Sequence, residues 1–167
     1  MGERLLLIHT VGHSDHTTAE FIDLLRRHEI TLVVDVRSQP YSRWAPQFNR
    51  ETLAHDLQEA GMGYQFMGDV LGGRPSDPTL YDPGQEHPDY QRVERTPAYQ
   101  AGIDRLLDLA RTARVAVMCS EGDHRQCHRH LLITQTLLAR GVRALHIQSG
   151  GRVVEAEPEP RQLSLFG

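Results

Sequence analysis

The sequence predicts a single α/β domain in which helices flank a largely parallel, Rossmann-like sheet, followed by a flexible C-terminal tail. The length of 167 residues suits one globular domain with its own apolar core. Short β-branched runs recur along the chain, and segments with the periodicity of amphipathic helices separate them. Because parallel strands need long crossover connections, usually helices, this alternation favours a parallel sheet.

Five short runs are rich in apolar and β-branched residues, which is typical of buried strands. They occupy residues 5–10, 31–36, 64–67, 115–118 and 142–147. Residues 68–97, by contrast, are poor in apolar side chains and contain five prolines. This composition predicts a long surface excursion, either a lid over a ligand or a disordered loop.

Four helices are predicted between these strands. Thr17 with Glu20 three residues later has the pattern of a capping box, so the first helix should begin there. Asn49 is expected to cap the second helix. Apolar residues at helical spacing predict two more helices, over residues 99–111 and 124–140.

Composition excludes several classes of function. The net charge of −4 argues against a generally basic nucleic-acid-binding surface. All 18 positive residues are arginine, so neither a lysine Schiff base nor a Walker A lysine is present. Two cysteines do not indicate a disulfide scaffold. The apolar runs are too short for a membrane span and show no signal peptide, so a cytoplasmic protein is expected.

Polar segments are expected to meet at the carboxyl ends of the strands, where α/β sheets bind their ligands. These segments are residues 12–14, 35–43, 72–74 and 119–129. The candidate catalytic residues among them are His13, Asp35, Cys119, Glu121 and His128. The candidate substrate-binding residues are Gly12, Ser14, Arg37, Ser42, Arg43, Gly72, Gly73, Arg74 and Arg129.

Cys119 ends a predicted strand and is followed, after five residues, by Arg125, which is the spacing of a phosphatase or rhodanese loop. In such loops a helix N-terminus and backbone N–H groups lower the pKa of the thiol and hold an oxyanion. The alternative is a buried cysteine beside an incidental arginine. Arg125 and Arg129, one helical turn apart, predict either a phosphate clamp or surface ion pairs.

Asp35 and Arg37 alternate at the end of a buried strand, and we expect their side chains to point to opposite faces of the sheet. Asp35 is interpreted either as an acid–base group, which orients a histidine or takes a proton, or as a structural residue that caps the next loop. The sequence leaves both interpretations open.

Metal binding is not predicted. Five residues around the second cysteine carry side chains that ligate metals: Cys119, His124, Cys127, His128 and His130. Their spacing fits no standard zinc pattern, and Cys127 is expected to lie inside a helix and pack against the sheet. We therefore predict no cofactor.

The C-terminal residues 151–167 are predicted to form an acidic, proline-rich linker and a tail, after a domain that spans residues 1–150. The tail contains Gln162, Leu163, Ser164, Leu165 and Phe166, which match the pentapeptide that binds the bacterial sliding clamp. A short peptide on a flexible linker is how such ligands are displayed. The alternative is a tail that packs against its own domain.

The chain resembles the domain of unknown function 488 family from residue 10 to about residue 147. The resemblance rests on residues 10–14, 35–37, Ser38, Pro40, Ser42, Phe48, residues 71–73, 119–121 and 127–129. It implies a compact α/β domain with one polar site shared by these segments, and no settled reaction. The family pattern emphasises Cys119 and Glu121 more than Arg125, which weakens the phosphatase-loop interpretation.

Three functions follow as hypotheses. The first is a DNA-repair or nucleotide-processing hydrolase, glycosidase-like, that the sliding clamp recruits and whose ligand is DNA or a nucleotide. The second is a rhodanese- or phosphatase-like thiol enzyme that uses Cys119 as its nucleophile. The third is an adaptor without catalytic activity, which binds the clamp through its tail and another ligand in its cleft.

Overall fold

A computed structural model describes residues 6–159 of the chain and confirms the single α/β domain with a mostly parallel sheet. The strands are β1 (Leu7–Gly12), β2 (Leu32–Asp35), β3 (Gly63–Phe66), β4 (Val115–Cys119), β5 (Arg143–Ile147) and β6 (Val153–Glu155). They are arranged in the order β3-β2-β4-β1-β5-β6. The first five are parallel, and β6 pairs antiparallel with β5.

Helices connect the parallel strands. The α-helices are α1 (Thr18–Arg27), α2 (Arg50–Glu59), α3 (Gly68–Leu71), α4 (Tyr90–Glu94), α5 (Pro97–Thr112) and α6 (Gln135–Ala139). The described residues also contain three short 3₁₀ turns, at Pro46–Phe48, Pro78–Leu80 and His124–Gln126. One π-helix spans Arg129–Thr134. No helix in residues 6–159 is both long and apolar enough to cross a membrane.

The sheet separates two apolar clusters, which makes a three-layer domain. On one face, Phe21 of α1 and Leu57 of α2 pack against Val33 of β2. On the other face, Ile103 of α5 and Leu132 of the π-helix belong to a second cluster with residues of β1, β2 and β4. With both faces covered, the strands are continuously apolar, as the sequence indicated.

Two predicted helix starts have different outcomes. The capping box is confirmed, because Thr17 Oγ1 accepts from the backbone N–H of Glu20, whose Oε1 accepts from the N–H of Thr17. Asn49 does precede α2, but its side chain makes no capping bond there. Its Oδ1 instead accepts from the backbone N–H of Ser42 at 2.7 Å, so Asn49 fixes the loop after β2.

Residues 68–97 are more ordered than the predicted surface excursion. They contain α3, a 3₁₀ turn and α4, and they bury Leu71, Leu80 and Val93 in the core. Hydrogen bonds fix the turns, for example the one that Asp77 Oδ1 accepts from the backbone N–H of Thr79. A few well-spaced apolar side chains therefore hold a segment that is polar on average.

The prediction of one helix over residues 124–140 is wrong. A 3₁₀ turn comes first, and Cys127 then has extended backbone angles, φ −121° and ψ 144°. The π-helix and α6 follow it. Asp123 caps the turn by accepting from the backbone N–H of Arg125, and Arg129, the first residue of the π-helix, is fully buried. The helical spacing of apolar residues reveals neither the cap at Asp123 nor the burial of Arg129.

The predicted boundary at residue 150 lies too early. After a turn at Gly151, whose φ is +92°, β6 adds to the sheet and Ala156 is buried. The linker predicted for residues 151–160 is thus in part a sheet strand. The pentapeptide over residues 162–166, which the sequence predicts to bind the sliding clamp, lies outside the described residues.

Candidate active site

The carboxyl ends of β1, β2 and β4 meet beside a cavity of about 400 Å³. Its walls are Arg37, Ser38, Gln39, Gly73, Arg74, His87, Tyr90, Cys119, Ser120, Glu121, Cys127 and His128. Six of these were candidates from the sequence: Arg37, Gly73, Arg74, Cys119, Glu121 and His128. Candidates that do not line this cavity are Gly12, His13, Ser14, Asp35, Ser42, Arg43, Gly72 and Arg129.

The loop after β4 is attached closely to the end of β1. The backbone N–H of His13 donates to the carbonyl of Cys119, and that of Ser14 donates to the carbonyl of Ser120, both at 2.9 Å. A Cβ on Gly12 would lie 1.7 Å from the carbonyl oxygen of Glu121, so only glycine allows this approach. Gly12 and Ser14 thus position the loop that carries the thiol.

Cys119 is surrounded by two donors. Arg129 Nε donates to its Sγ at 3.0 Å, and the thiol of Cys127 donates to the same Sγ at 2.8 Å. Burial raises the pKa of Cys119, but the Cys127 hydrogen bond and the charge of Arg129 outweigh it, so the pKa is lower than that of an ordinary thiol. The bond to Cys119, with burial, raises the pKa of Cys127. The two neighbouring thiols therefore shift in opposite directions, with the pKa of Cys119 lowered and that of Cys127 raised.

Arg129 is a fully buried cation. Its NH1 donates to Thr10 Oγ1, and its NH2 donates to the carbonyl oxygens of Glu121 at 3.1 Å and Gly122 at 3.4 Å. These partners, in the part of the chain that the structure describes, are neutral. A buried guanidinium needs a compensating negative charge, and the sulfur of Cys119 is the bonded group that can supply it.

Arg125 does not take the position that the phosphatase-loop spacing predicted. Its side chain is 76% exposed and forms a two-pronged contact with the carboxylate of Asp123. The predicted phosphate clamp of Arg125 and Arg129 is not formed, because Arg125 faces solvent whereas Arg129 is buried. Arg129, ten residues after Cys119, is the arginine that binds the thiol.

Asp35 and Arg37 form a buried ion pair, so their expected placement on opposite faces is wrong. Residues two apart in a strand share a face. Arg37 Nε and NH2 donate to the two carboxylate oxygens at 2.9 and 2.8 Å, and Tyr64 adds a third bond at 2.6 Å. Asp35 is fully buried, and this arrangement holds Arg37 at the wall of the cavity.

The two candidate histidines have different surroundings. His13 stacks on Phe48 with ring centroids 4.5 Å apart, and burial lowers its pKa to about 4. His128 lines the cavity, and its Nε2 donates to the carbonyl of Val36 at 3.1 Å. Burial lowers the pKa of His128 to about 4, so its Nδ1 is unprotonated at neutral pH.

The glycine turn at residues 72–73 places the far wall of the cavity. A Cβ on Gly72 would lie 2.2 Å from Ser38 Oγ, and one on Gly73 would lie 2.9 Å from the ring of His128. The same Ser38 hydroxyl accepts from the backbone N–H of Arg74. The turn therefore places Arg74 in the wall of the cavity that Cys119 also lines.

The loop after β2 presents aromatic and basic side chains to solvent. Ser42 Oγ accepts from the backbone N–H groups of Trp44 and Ala45, which fixes a tight turn. Trp44, the sole tryptophan, is 93% exposed and follows the exposed Arg43. Ser42 is thus structural here, whereas Arg43 faces solvent away from the cavity wall.

A second group of histidines lies behind the thiol. His146 on β5 contacts Thr10 through Nδ1, and its Nε2 is 3.0 Å from Nδ1 of His130. The ring of His124 stacks on that of His146, with centroids 3.9 Å apart. Sequence reasoning missed His146, which lies in an apolar run, and grouped His124 and His130 with the cysteines instead.

Comparison with known proteins indicates a family. The family model described as "Domain of unknown function DUF488" matches residues 17–135, more than half of the 167 residues. No curated protein and no solved structure matches the chain. The matched region contains the cavity walls, Cys119 and Arg129.

Proposed function

Because the chain belongs to the family described as "Domain of unknown function DUF488", whose description assigns no reaction, we propose a function from the geometry of the site. The protein is a thiol enzyme in which the Cys119 thiolate attacks an anionic substrate in the 400 Å³ cavity. The substrate class is a small phosphate ester or a sulfur donor such as a thiosulfonate, which makes the enzyme phosphatase- or rhodanese-like.

The observation that carries this proposal is the contact between Arg129 and Cys119. A cation held at 3.0 Å from Sγ favours the charged form of the thiol, and the thiolate is the nucleophile. A merely structural cysteine in an apolar core would have a raised pKa and would be inert. Cys119 also reaches the wall of the cavity, where a substrate can meet it.

The cavity walls fit an anion. Arg74 and His87 come from the glycine turn and from the segment before α4, and Arg37 faces them from the end of β2. Arginine presents planar donors that match phosphoryl and sulfonate oxygens. Glu121 is the acidic residue in the wall, and Arg37 is paired with Asp35, so Arg74 is the guanidinium that we assign to the anion.

The reaction begins when a lone pair of the Cys119 sulfur attacks the electrophilic phosphorus or sulfane sulfur. With a phosphate ester, the alcohol leaves with the bonding electrons and takes a proton from solvent. Water then attacks the thiophosphate and regenerates the thiolate. With a thiosulfonate, the sulfinate or sulfite leaves and Cys119 carries a persulfide, whose outer sulfur passes to a second thiophile. Arg74 neutralises charge on the oxyanions in either case.

Cys127 supports the nucleophile without competing with it. Its thiol keeps its proton and donates to Cys119 Sγ at 2.8 Å, so it stabilises the thiolate until substrate arrives. When the Cys127 thiol turns away and Arg129 alone donates a hydrogen bond to Cys119 Sγ, the sulfur becomes more basic and more reactive. Cys127 therefore tunes Cys119, and its own high pKa keeps it unreactive.

The test is alkylation of the reduced protein with iodoacetamide, followed by mass spectrometry, over a range of pH. Cys119 should be labelled at neutral pH, with Cys127 labelled far more slowly. Para-nitrophenyl phosphate and thiosulfate with cyanide are the two turnover probes, and Cys119→Ser should abolish the activity. Arg125→Met is the matched control, because Arg125 faces solvent. Absence of labelling at Cys119 below the pKa of an ordinary thiol, with labelling intact in denaturant, overturns the proposal.

A second candidate function is recruitment to replicating DNA, with processing of DNA or nucleotides there. It is supported by the pentapeptide over residues 162–166 and by the exposed Trp44 beside Arg43. Aromatic and arginine side chains together suit stacking on unpaired bases. A glycosidase-like mechanism through Asp35 has less support, because that carboxylate is buried under Arg37 and Tyr64.

Calorimetry with the sliding clamp tests this second function. The full chain should bind with micromolar affinity, and a chain that ends at residue 161 should not. Single-stranded oligonucleotides should quench the fluorescence of Trp44, the sole tryptophan. Binding without consumption of any ligand would favour the adaptor hypothesis, and absence of clamp binding by the full chain contradicts recruitment.

A further inference from the structure

We propose that His124, His130 and His146, named here the histidine cluster, bind one divalent transition-metal ion. Each residue offers one ring nitrogen, and the three nitrogens lie within 4.8 Å of one another. They come from the 3₁₀ turn, the π-helix and β5, so the fold brings together residues of three different elements. Neutral imidazoles suit Zn²⁺ and its neighbours in the transition series.

The spacing of two nitrogens is already close to that of a bound ion. His130 Nδ1 and His146 Nε2 are 3.0 Å apart. At a Zn–N distance of about 2.0–2.1 Å, two ligands of a tetrahedral ion lie about 3.3 Å apart. The ion would thus replace the proton that these two nitrogens share, with movements of a few tenths of an ångström.

Both of these histidines have the outer hydrogen bonds that metal ligands usually make. His130 Nε2 contacts Glu159 Oε1 at 2.7 Å, and His146 Nδ1 contacts Thr10 Oγ1. A ligating imidazole normally donates its other N–H to a carboxylate or another acceptor, which fixes its tautomer and raises its basicity. Glu159 and Thr10 supply those acceptors on the side of each ring away from the ion.

His124 is the adjustable third ligand. Its ring stacks on that of His146 with an angle of 13° between the planes, so it must rotate for its nitrogen to point at the same ion. The residue is half-buried on a short 3₁₀ turn, which leaves room for this rotation. Three histidines then leave a fourth position open, as in zinc sites that bind water or a small ligand.

The cluster is accessible and lies in acidic surroundings. A cavity of about 660 Å³ reaches His124 and His130, and Asp123, Glu157 and Glu159 are among its walls. Carboxylates around an opening attract divalent cations to it. This cavity is distinct from the one at Cys119, since the two share no lining residue, so the ion would not use the thiols as ligands.

Calorimetric titration of the reduced, full-length protein with Zn²⁺ tests the proposal, together with Co²⁺ absorption as a report on the ligands. We expect one ion per chain, and Co²⁺ bands of a tetrahedral nitrogen site without the charge-transfer band of a thiolate. Glu159→Gln should weaken binding by about 10- to 100-fold, and His124→Ala should weaken it further. His55→Ala is the matched control, because His55 is an exposed histidine on α2.

Either variant keeps the test valid if the other fails to fold, because Glu159 and His124 lie at the rim of the core. Circular dichroism should show native helix content for both. Binding that His124→Ala and Glu159→Gln leave unchanged, a thiolate band in the Co²⁺ spectrum, or no binding at all would overturn the proposal. The three histidines would then be a hydrogen-bonded cluster of the core only.

Discussion

The guanidinium of Arg129 is fully buried and donates from Nε to the sulfur of Cys119 at 3.0 Å. Arg129 follows Cys119 by ten residues, and the chain between them folds back so that the two side chains meet. The contact joins stability to reactivity, because the group that can neutralise the buried cation is also the nucleophile of the proposed reaction. Disturbing either side chain should therefore change both properties, in directions that the electrostatics determine.

Replacing Arg129 should raise the pKa of Cys119. In Arg129→Met the thiolate loses its cationic donor, so a smaller fraction is ionised at neutral pH. A change of one pKa unit slows alkylation about tenfold at pH values below the pKa. The pH profile of iodoacetamide labelling measures this shift. Arg125→Met should leave the profile unchanged, and an unshifted profile for Arg129→Met would contradict the assigned role.

The lowered pKa of Cys119 also predicts a dependence of stability on pH. Between the folded-state pKa and that of an unfolded thiol, the unfolded chain holds a proton that the folded chain has lost, so stability rises with pH. The contribution is complete above the unfolded pKa of about 8.5 and disappears as pH falls through the folded-state value. Melting temperatures of the reduced wild type and Cys119→Ser should diverge as pH rises. Parallel curves would refute this.

Gly12→Ala should destabilise the protein and reduce the reactivity of Cys119. The new Cβ would collide with the carbonyl oxygen of Glu121, 1.7 Å away, and the loop after β4 would have to move. Such overpacking costs about 1–3 kcal/mol, occasionally more. Urea unfolding measures the loss. Gly150→Ala is the control, since a Cβ at Gly150 meets nothing within 4 Å, and equal losses in the two variants would be evidence against the close approach.

Mild oxidation should join Cys119 to Cys127. Their sulfurs are 2.8 Å apart in the reduced protein. A thiolate adds readily to the N=N bond of the oxidant diamide, and the neighbouring thiol then displaces the reduced hydrazine and closes the disulfide. The two thiols lose two electrons and two protons, so the mass falls by two hydrogens and alkylation stops until dithiothreitol restores it. In Cys127→Ser, peroxide should instead drive Cys119 to sulfinic acid. Accumulation of sulfinic acid in the wild-type protein without the disulfide would contradict this prediction.

The ion pair of Asp35 and Arg37 should make the largest contribution to the free energy of unfolding among the polar contacts at the carboxyl end of β2. Asp35→Ala leaves a buried guanidinium without its carboxylate, which costs about 3–5 kcal/mol. Tyr64→Phe removes one hydrogen bond to the same carboxylate and should cost about 1 kcal/mol. Urea unfolding of both variants gives the comparison. Similar losses would mean that the carboxylate is not the main partner of Arg37.

Local signals in the sequence were sufficient for the five parallel strands and for α1, but not for β6, which lies in the predicted linker. Parallel strands that are buried on both faces are continuously apolar, and the capping box at Thr17 involves only four consecutive residues. The expectation that residues 12–14, 35–43, 72–74 and 119–129 meet was drawn from strand order, because parallel strands end at one edge, and part of each of the last three segments lines the cavity. These parts of the fold depend on contacts that are short in sequence or fixed by topology.

The chemistry within the site depends on contacts that sequence patterns do not encode. Helical periodicity predicted one helix over residues 124–140, because the spacing of apolar residues does not show that Arg129 is buried. His146 is hydrogen-bonded through Nδ1 to Thr10, 136 positions away. The sequence therefore gives no local sign that these two residues are in contact. The function of residues 162–166 stays a prediction.

The π-helix has a consequence for how this chain tolerates insertions and deletions. Its wide turn holds one residue more than an α-helical turn, and Thr134 Oγ1 donates to the carbonyl of Arg129, five residues back. Within it, Arg129 faces the thiol while its neighbour His130 faces β5. Removing a single residue from this turn would convert it to an α-helix and swing one end relative to the other by about 100°. The chain length of this short segment thus keeps Arg129 directed to the thiol of Cys119 and its neighbour His130 directed to His146.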